Sequence, residues 1–114
     1  LNLVAGLETT EPVAGVNQVL RDIEDAFGRI RSAERFSPRT LDLDLLTYGD
    51  LAGEIDGCEL PRDEILRYAF VLRPLADVAG GQIHPLARRS YRELWEGFDQ
   101  ASQPLRRVQL ELGA

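Results

Sequence analysis

Arg35-Phe36-Ser37-Pro38-Arg39-Thr40-Leu41-Asp42-Leu43-Asp44-Leu45-Leu46 sets two carboxylates two residues apart on an alternating apolar run, directly behind arginines. A period of two belongs to a strand, so Leu41, Leu43 and Leu45 are predicted to face a core while Asp42 and Asp44 share the opposite face. At about 3.3 Å rise per residue the two aspartates lie roughly 6–7 Å apart, near enough to grip one hard cation or flank a pair. Carboxylate oxygens suit magnesium, which keeps several waters and is completed by substrate phosphates. Arg29, Arg31, Arg35 and Arg39 lie close by in sequence, and guanidinium forks match phosphate oxygens. Metal plus arginines would clamp a polyphosphate during transfer. The same spacing also describes the wet face of a half-buried strand beside a solvated arginine stripe.

The surrounding composition narrows the alternatives. A chain of 114 residues with 44% hydrophobic content is expected to form one folded domain. A net charge of −6 argues against a general nucleic-acid binder, which carries a basic face. All 13 basic residues are arginine, which excludes a Walker-type phosphate loop because that motif needs a lysine. No window approaches the roughly 18 apolar residues of a membrane span, and no secretory leader is recognisable, so a cytoplasmic location is expected. The lone Cys58 cannot form an internal disulfide and reads as a loop spectator in a reducing compartment. The chain has no methionine and opens with Leu1-Asn2-Leu3-Val4, which reads as the inside of a strand, so a preceding segment is expected.

Leu1, Leu3, Ala5 and Leu7 alternate with Asn2, Val4, Gly6 and Glu8, a strand signal ending at Thr9-Thr10. Thr10 is predicted to cap a helix with Pro12 in its first turn, Val16, Val19, Leu20, Ile23, Ala26 and Phe27 on its apolar face and Gly28 as its stop. Arg29 to Arg39 reads as a polar loop, and the aspartate strand as Thr40 to Tyr48. Leu51 to Cys58 suggests a loop or short hairpin arm. Pro61 to Tyr68 reads as a short helix and Ala69 to Leu72 as a brief strand ended by Pro74. His84-Pro85 marks a turn, and Ser90-x-x-Glu93 is a capping box heading a helix with Leu94, Trp95 and Phe98. Val108, Leu110 and Leu112 alternate as a possible last strand. Helices interleaved with half-wet strands indicate an α+β layer.

The run Arg-x-x-Pro-Arg-Thr-Leu-Asp-Leu-Asp-Leu-Leu resembles the signature of the 6-hydroxymethyl-7,8-dihydropterin pyrophosphokinase (HPPK) family. The likeness extends through Leu1-Asn2, Ile23-Glu24 and Gly28-Arg29-Ile30-Arg31, and onward to Leu60-Pro61 and Phe70-Val71-Leu72-Arg73-Pro74-Leu75. It covers residues 1–98 of a single domain, with 99–114 as a C-terminal extension. The resemblance implies a ferredoxin-like α+β fold with a largely antiparallel sheet, lacking the first strand-helix-strand. An uncovered sheet edge and helix face would follow, so a homo-oligomer or a missing N-terminal segment is expected.

The activity implied is transfer of diphosphate from ATP to the pterin alcohol in folate biosynthesis. By resemblance, Asp42 and Asp44 match the family's magnesium pair, and Arg29 and Arg39 match arginines contacting the nucleotide and the transferred group. Arg31 and Arg35 sit at family-like basic positions for ATP, while Asn2, Phe36 and Phe70 match positions that hold the pterin. Glu24 matches a family acid near this network, and Phe27 reads as core. Two departures stand out. Arg62 replaces a histidine that contacts ATP, and Tyr68 replaces an arginine, with Arg67 one step before it. Two readings follow: a magnesium-dependent diphosphokinase, or a non-catalytic relative that binds nucleotide or pterin or is completed by another chain. An acidic interaction domain with no ligand ranks last, because it leaves the arginine–aspartate cluster a coincidence.

Overall fold

A computed structural model describes residues 2–32 and 41–107, which divide into two compact units, residues 7–62 and residues 1–6 with 63–114. The class is α+β: helices with one small two-stranded antiparallel sheet. No helix among the described residues is long and apolar enough to cross a membrane.

In the unit of residues 7–62, α1 runs Val13–Ser32 and buries Val13 and Val16. The helix passes through Gly28, which sequence reading took as its stop. A mid-helix glycine costs only about 1 kcal/mol relative to alanine and arginine is a good helix former, and Arg29 lies in the part of α1 where a cation suits the C-terminal dipole. Arg29 and Arg31 are therefore helical positions, not loop residues. At the other end, the Pro12 carbonyl accepts from Val16 N–H at 3.0 Å, and the hydroxyl that takes the Glu11 N–H is Thr9, not Thr10.

Strands β1 (Gly53–Ile55) and β2 (Cys58–Leu60) pair with Gly53 opposite Leu60 and Ile55 opposite Cys58. Asp56 and Gly57 turn the hairpin with φ of 51° and 77°. Two successive left-handed residues define the type I′ turn that Asp-Gly favours, because its twist matches that of the strands. Cys58 therefore lies in a strand, half-buried, rather than in a loop.

Two expected strands do not form. Residues 2–8 have no strand partner among the described residues, and Leu3 and Leu7 are each 69% exposed, so nothing buries the alternating face. Residues 41–48 keep the predicted facing, with Leu41, Leu43 and Leu45 half-buried and Asp42 and Asp44 exposed, but lack a ladder. The backbone groups of Leu43 are taken by α1 side chains instead.

In the other unit, α2 (Glu64–Arg67) leads into α3 (Ala69–Ala79), which packs on α4 (Tyr91–Glu96) and is followed by a 3-10 turn at Gln100–Ser102. The predicted strand at Ala69–Leu72 is the start of α3. Ile65, Ala69, Leu72 and Leu75 are buried at helical spacing, and four apolar residues alone cannot separate the two periods. Pro74 sits inside α3 at a cost of about 3 kcal/mol, offset by burial of Leu72 and Leu75 at roughly 1.5–3 kcal/mol each. Gln103 closes the junction before α3, accepting from Ala69 N–H at 2.9 Å and donating to the Arg67 carbonyl at 3.0 Å.

The predicted capping box is present at the head of α4: Ser90 Oγ accepts from Glu93 N–H and Glu93 accepts from Ser90 N–H. These bonds hold the Glu93 carboxyl below its ordinary pKa. His84 is a turn residue as expected, but a buried one. Its Nδ1 accepts from Leu86 and Ala87 N–H at 3.1 and 3.0 Å, and desolvation lowers its pKa. The possible last strand, Val108 to Leu112, lies outside the described residues.

Candidate functional site

The aspartate segment is held at three points in its own unit. Leu43 N–H donates to Glu24 at 2.7 Å, the Arg21 guanidinium donates to the Leu43 carbonyl, and Arg62 N–H donates to the Leu46 carbonyl at 2.9 Å. Arg21 and Glu24 also pair with each other at 3.2 Å. The half-buried leucines on either side turn Asp42 and Asp44 outward.

A cleft of about 260 Å³ opens beside this segment. Asp44, Arg21, Arg62, Asn17 and Glu59 give it polar walls of both signs, and Cys58 lies at its edge. Facing acids and guanidiniums suit a ligand that brings its own metal-bound phosphates: carboxylates take the cation and arginines take the anion. Among the described residues no cluster of three or more His, Cys, Asp or Glu could cage a metal alone.

Of the residues singled out by sequence, Asp44 and Arg62 line the same cleft, with Asp42 two residues from Asp44. Arg29 is exposed on the last turns of α1, and Arg31 enters only as a backbone position there. Arg35, Phe36 and Arg39 lie outside the described residues. Asn2, Arg67 and Phe70 belong to the other unit. There Arg67 is engaged locally, with Nε 2.8 Å from Asp63 and its guanidinium 5.2 Å from the Tyr68 ring centre. Phe70 is 42% exposed and stacks on Tyr68 at 5.1 Å. Tyr68 thus holds the N-cap position of α3 through its backbone and gives Phe70 a stacking partner.

Sequence reading missed Asn17, Arg21 and Glu59, and gave Glu24 only a loose role. The signal for three of these was present: Asn17, Arg21 and Glu24 recur at helical spacing as a polar stripe on a helix otherwise read for its apolar face.

The family described as 7,8-dihydro-6-hydroxymethylpterin-pyrophosphokinase (HPPK) matches residues 1–80, and the chain belongs to it. It is 42% identical over 82 residues to the 2-amino-4-hydroxy-6-hydroxymethyldihydropteridine pyrophosphokinase of Synechocystis sp., covering 72% of this chain and 42% of that protein. To the Pseudomonas aeruginosa protein of the same name it is 39% identical over 79 residues, 69% of this chain and 48% of the relative. A folate synthesis bifunctional protein of Arabidopsis thaliana is 38% identical over 77 residues, 68% of this chain and 16% of the relative. The chain thus spans less than half the length of these curated relatives.

Proposed function

We propose that this chain carries the metal and phosphate side of a magnesium-dependent diphosphate transfer from ATP to 6-hydroxymethyl-7,8-dihydropterin, a step of folate synthesis. The hydroxymethyl oxygen attacks the β-phosphorus of ATP, the bond from that phosphorus to the α,β-bridging oxygen breaks, AMP leaves, and the hydroxyl proton is released to solvent. Asp42 and Asp44 are the metal carboxylates, and magnesium bound there neutralises phosphate charge. Arg29 and Arg39 orient the transferred group. Arg31, Arg35, Arg62 and Arg67 bind ATP, Arg62 from the cleft wall beside Asp44. Asn2 takes the pterin edge, and Phe36 and Phe70 take its ring. Such a reaction asks for positioning and charge neutralisation rather than a protein nucleophile.

The observation that carries this reading is the outward pair Asp42 and Asp44 on a segment bordering an arginine-containing cleft. Family membership and relatives named as pyrophosphokinases support it. We infer a ferredoxin-like fold, completed by a further segment or a second copy, in a cytoplasmic protein. A second reading, a relative that binds nucleotide or pterin without turnover, is favoured by Arg67 being drawn to Asp63 and Tyr68.

AMP release from ATP and magnesium, with and without the pterin alcohol, decides between them. Pterin-dependent AMP is expected; Mg-ATP binding without any AMP would establish the second reading.

A further inference from the structure

Leu43 separates the two aspartates, and both of its backbone polar groups are held by one helix face. Its N–H belongs to the peptide plane shared with Asp42 and donates to Glu24 Oε2 at 2.7 Å. Its carbonyl belongs to the plane shared with Asp44 and accepts from the Arg21 guanidinium. Peptide units are rigid and planar, so holding these two planes holds the Asp42 and Asp44 Cα atoms in place and leaves only the outer dihedral of each aspartate to set where its side chain leaves the backbone. Both contacts are charge-assisted, the stronger kind of hydrogen bond. The clamp is also self-braced: Arg21 Nη1 lies 3.2 Å from Glu24 Oε1, and the Glu24 side chain is only 19% exposed. Each Glu24 oxygen is thereby used, one on Leu43 and one on Arg21.

We propose that Arg21 and Glu24 are positioning residues that set the relative aim of Asp42 and Asp44 for a divalent cation, replacing the strand ladder that residues 41–48 lack. This rests on the metal reading above. Glu24 acts through the Leu43 backbone and is not among the residues lining the cleft, whereas Arg21 both holds the Leu43 carbonyl and lines the cleft. The hydrogen-bond acceptor at position 24 matters, and its charge matters less.

The test is titration of the full chain with Mn2+, as a paramagnetic stand-in for Mg2+, in the presence of an α,β-methylene ATP analogue, read by electron paramagnetic resonance. Glu24→Ala is expected to weaken Mn2+ binding about tenfold, the low end for groups that orient metal carboxylates. Glu24→Gln keeps a carbonyl oxygen for Leu43 N–H and restores most of it. Leu43 amide exchange follows the same order, slow in the parent and in Glu24→Gln and fast in Glu24→Ala. Should Glu24→Ala fail to fold, Glu24→Asp, whose shorter carboxylate draws back from the Leu43 N–H, carries the same test with a smaller expected loss. Unchanged Mn2+ affinity in these variants, or Glu24→Gln as weak as Glu24→Ala, overturns the inference provided Asp42→Asn still abolishes binding. If Asp42→Asn has no effect, the metal reading itself fails and takes this inference with it.

Discussion

The Asp56 carboxylate accepts the Ala14 N–H at 3.2 Å, so the hairpin turn caps the first turn of α1 from 42 residues away in sequence. Asp56 also holds a left-handed φ of 51°, which aspartate and asparagine tolerate better than other non-glycine residues. Asp56→Ala should lose about 1 kcal/mol for the cap and about 1 kcal/mol more for the left-handed backbone. Asp56→Asn should lose much less. Urea unfolding of the two variants checks this, and equal losses would show that only the charge of Asp56 matters.

The chain has one histidine, and its burial gives stability a clear pH signature. Desolvation lowers the His84 pKa from 6.5, and the folded ring uses Nδ1 as an acceptor for two N–H groups. Protonation therefore favours the unfolded chain. The stabilisation is fully present above pH 6.5 and is lost as pH falls from there through the lower folded value. The Tyr91 ring packs edge-on at 6.0 Å, but its phenol is pushed up by burial and does not titrate in this window. His84→Asn, whose Oδ1 can stand in for Nδ1, should flatten the dependence below pH 6.5. A slope identical to the parent's would assign it to other groups.

How much was legible in the sequence depends on whether the controlling partner was local. The Ser90–Glu93 box is complete within a few residues, so its chemistry could be read directly; the Asp56-Gly57 turn is as local, yet Leu51 to Cys58 read only as a loop or short hairpin arm. The alternation of Leu41 to Leu45 revealed which side chains face out, because facing depends on burial alone. It did not reveal whether a strand forms, since that depends on who takes the Leu43 backbone, and the answer lies about twenty residues away at Arg21 and Glu24. Pro74 misled in the other direction. Its local penalty was visible, but the offsetting stripe of Ile65, Ala69, Leu72 and Leu75 crosses two helices. At the site, Asp44 and Arg62 could be nominated from the sequence; the cleft they share could not.

Ser90→Ala should cost about 1 kcal/mol, the usual loss for an N-cap hydroxyl, because the Glu93 N–H then loses its acceptor. The same change should let the Glu93 carboxyl rise only part of the way toward its ordinary 4.5, since the Ser90 backbone N–H, the larger cause of its depression, stays in place and only the hydroxyl is lost. In the parent, the depressed Glu93 contributes stability above pH 4.5 that is lost as pH falls through the folded value. Thermal melts of parent and variant at neutral and acid pH check both parts. A variant that keeps the parent's acid dependence would place it elsewhere.

Val19, Ile23 and Ile30 lie on one face of α1 and are 50%, 46% and 66% exposed. Side chains of this size are left uncovered at a cost of roughly 1.5–3 kcal/mol each relative to burial. A second copy of the chain is the simplest cover in a purified sample. Sedimentation should therefore report a mass above one chain that grows with concentration, and Ile23→Glu should lower it. A single-chain mass at every concentration would overturn this.

The proposed reading asks different things of Asp42 and Asp44 than of Arg62, so their variants should differ. Asp44 borders the cleft with Arg21 and Arg62, while Asp42 is not among its lining residues. On the proposed reading each aspartate is a metal carboxylate, so substituting either with asparagine should abolish pterin-dependent AMP release. Arg62→Ala should act differently. It leaves the carboxylates in place and removes one phosphate partner, so a raised KM for Mg-ATP with kcat largely retained is expected. Steady-state kinetics across magnesium concentrations separate these outcomes. If Arg62→Ala instead lowers kcat with KM unchanged, the arginine acts on the transferred diphosphate during bond breaking rather than on ATP binding.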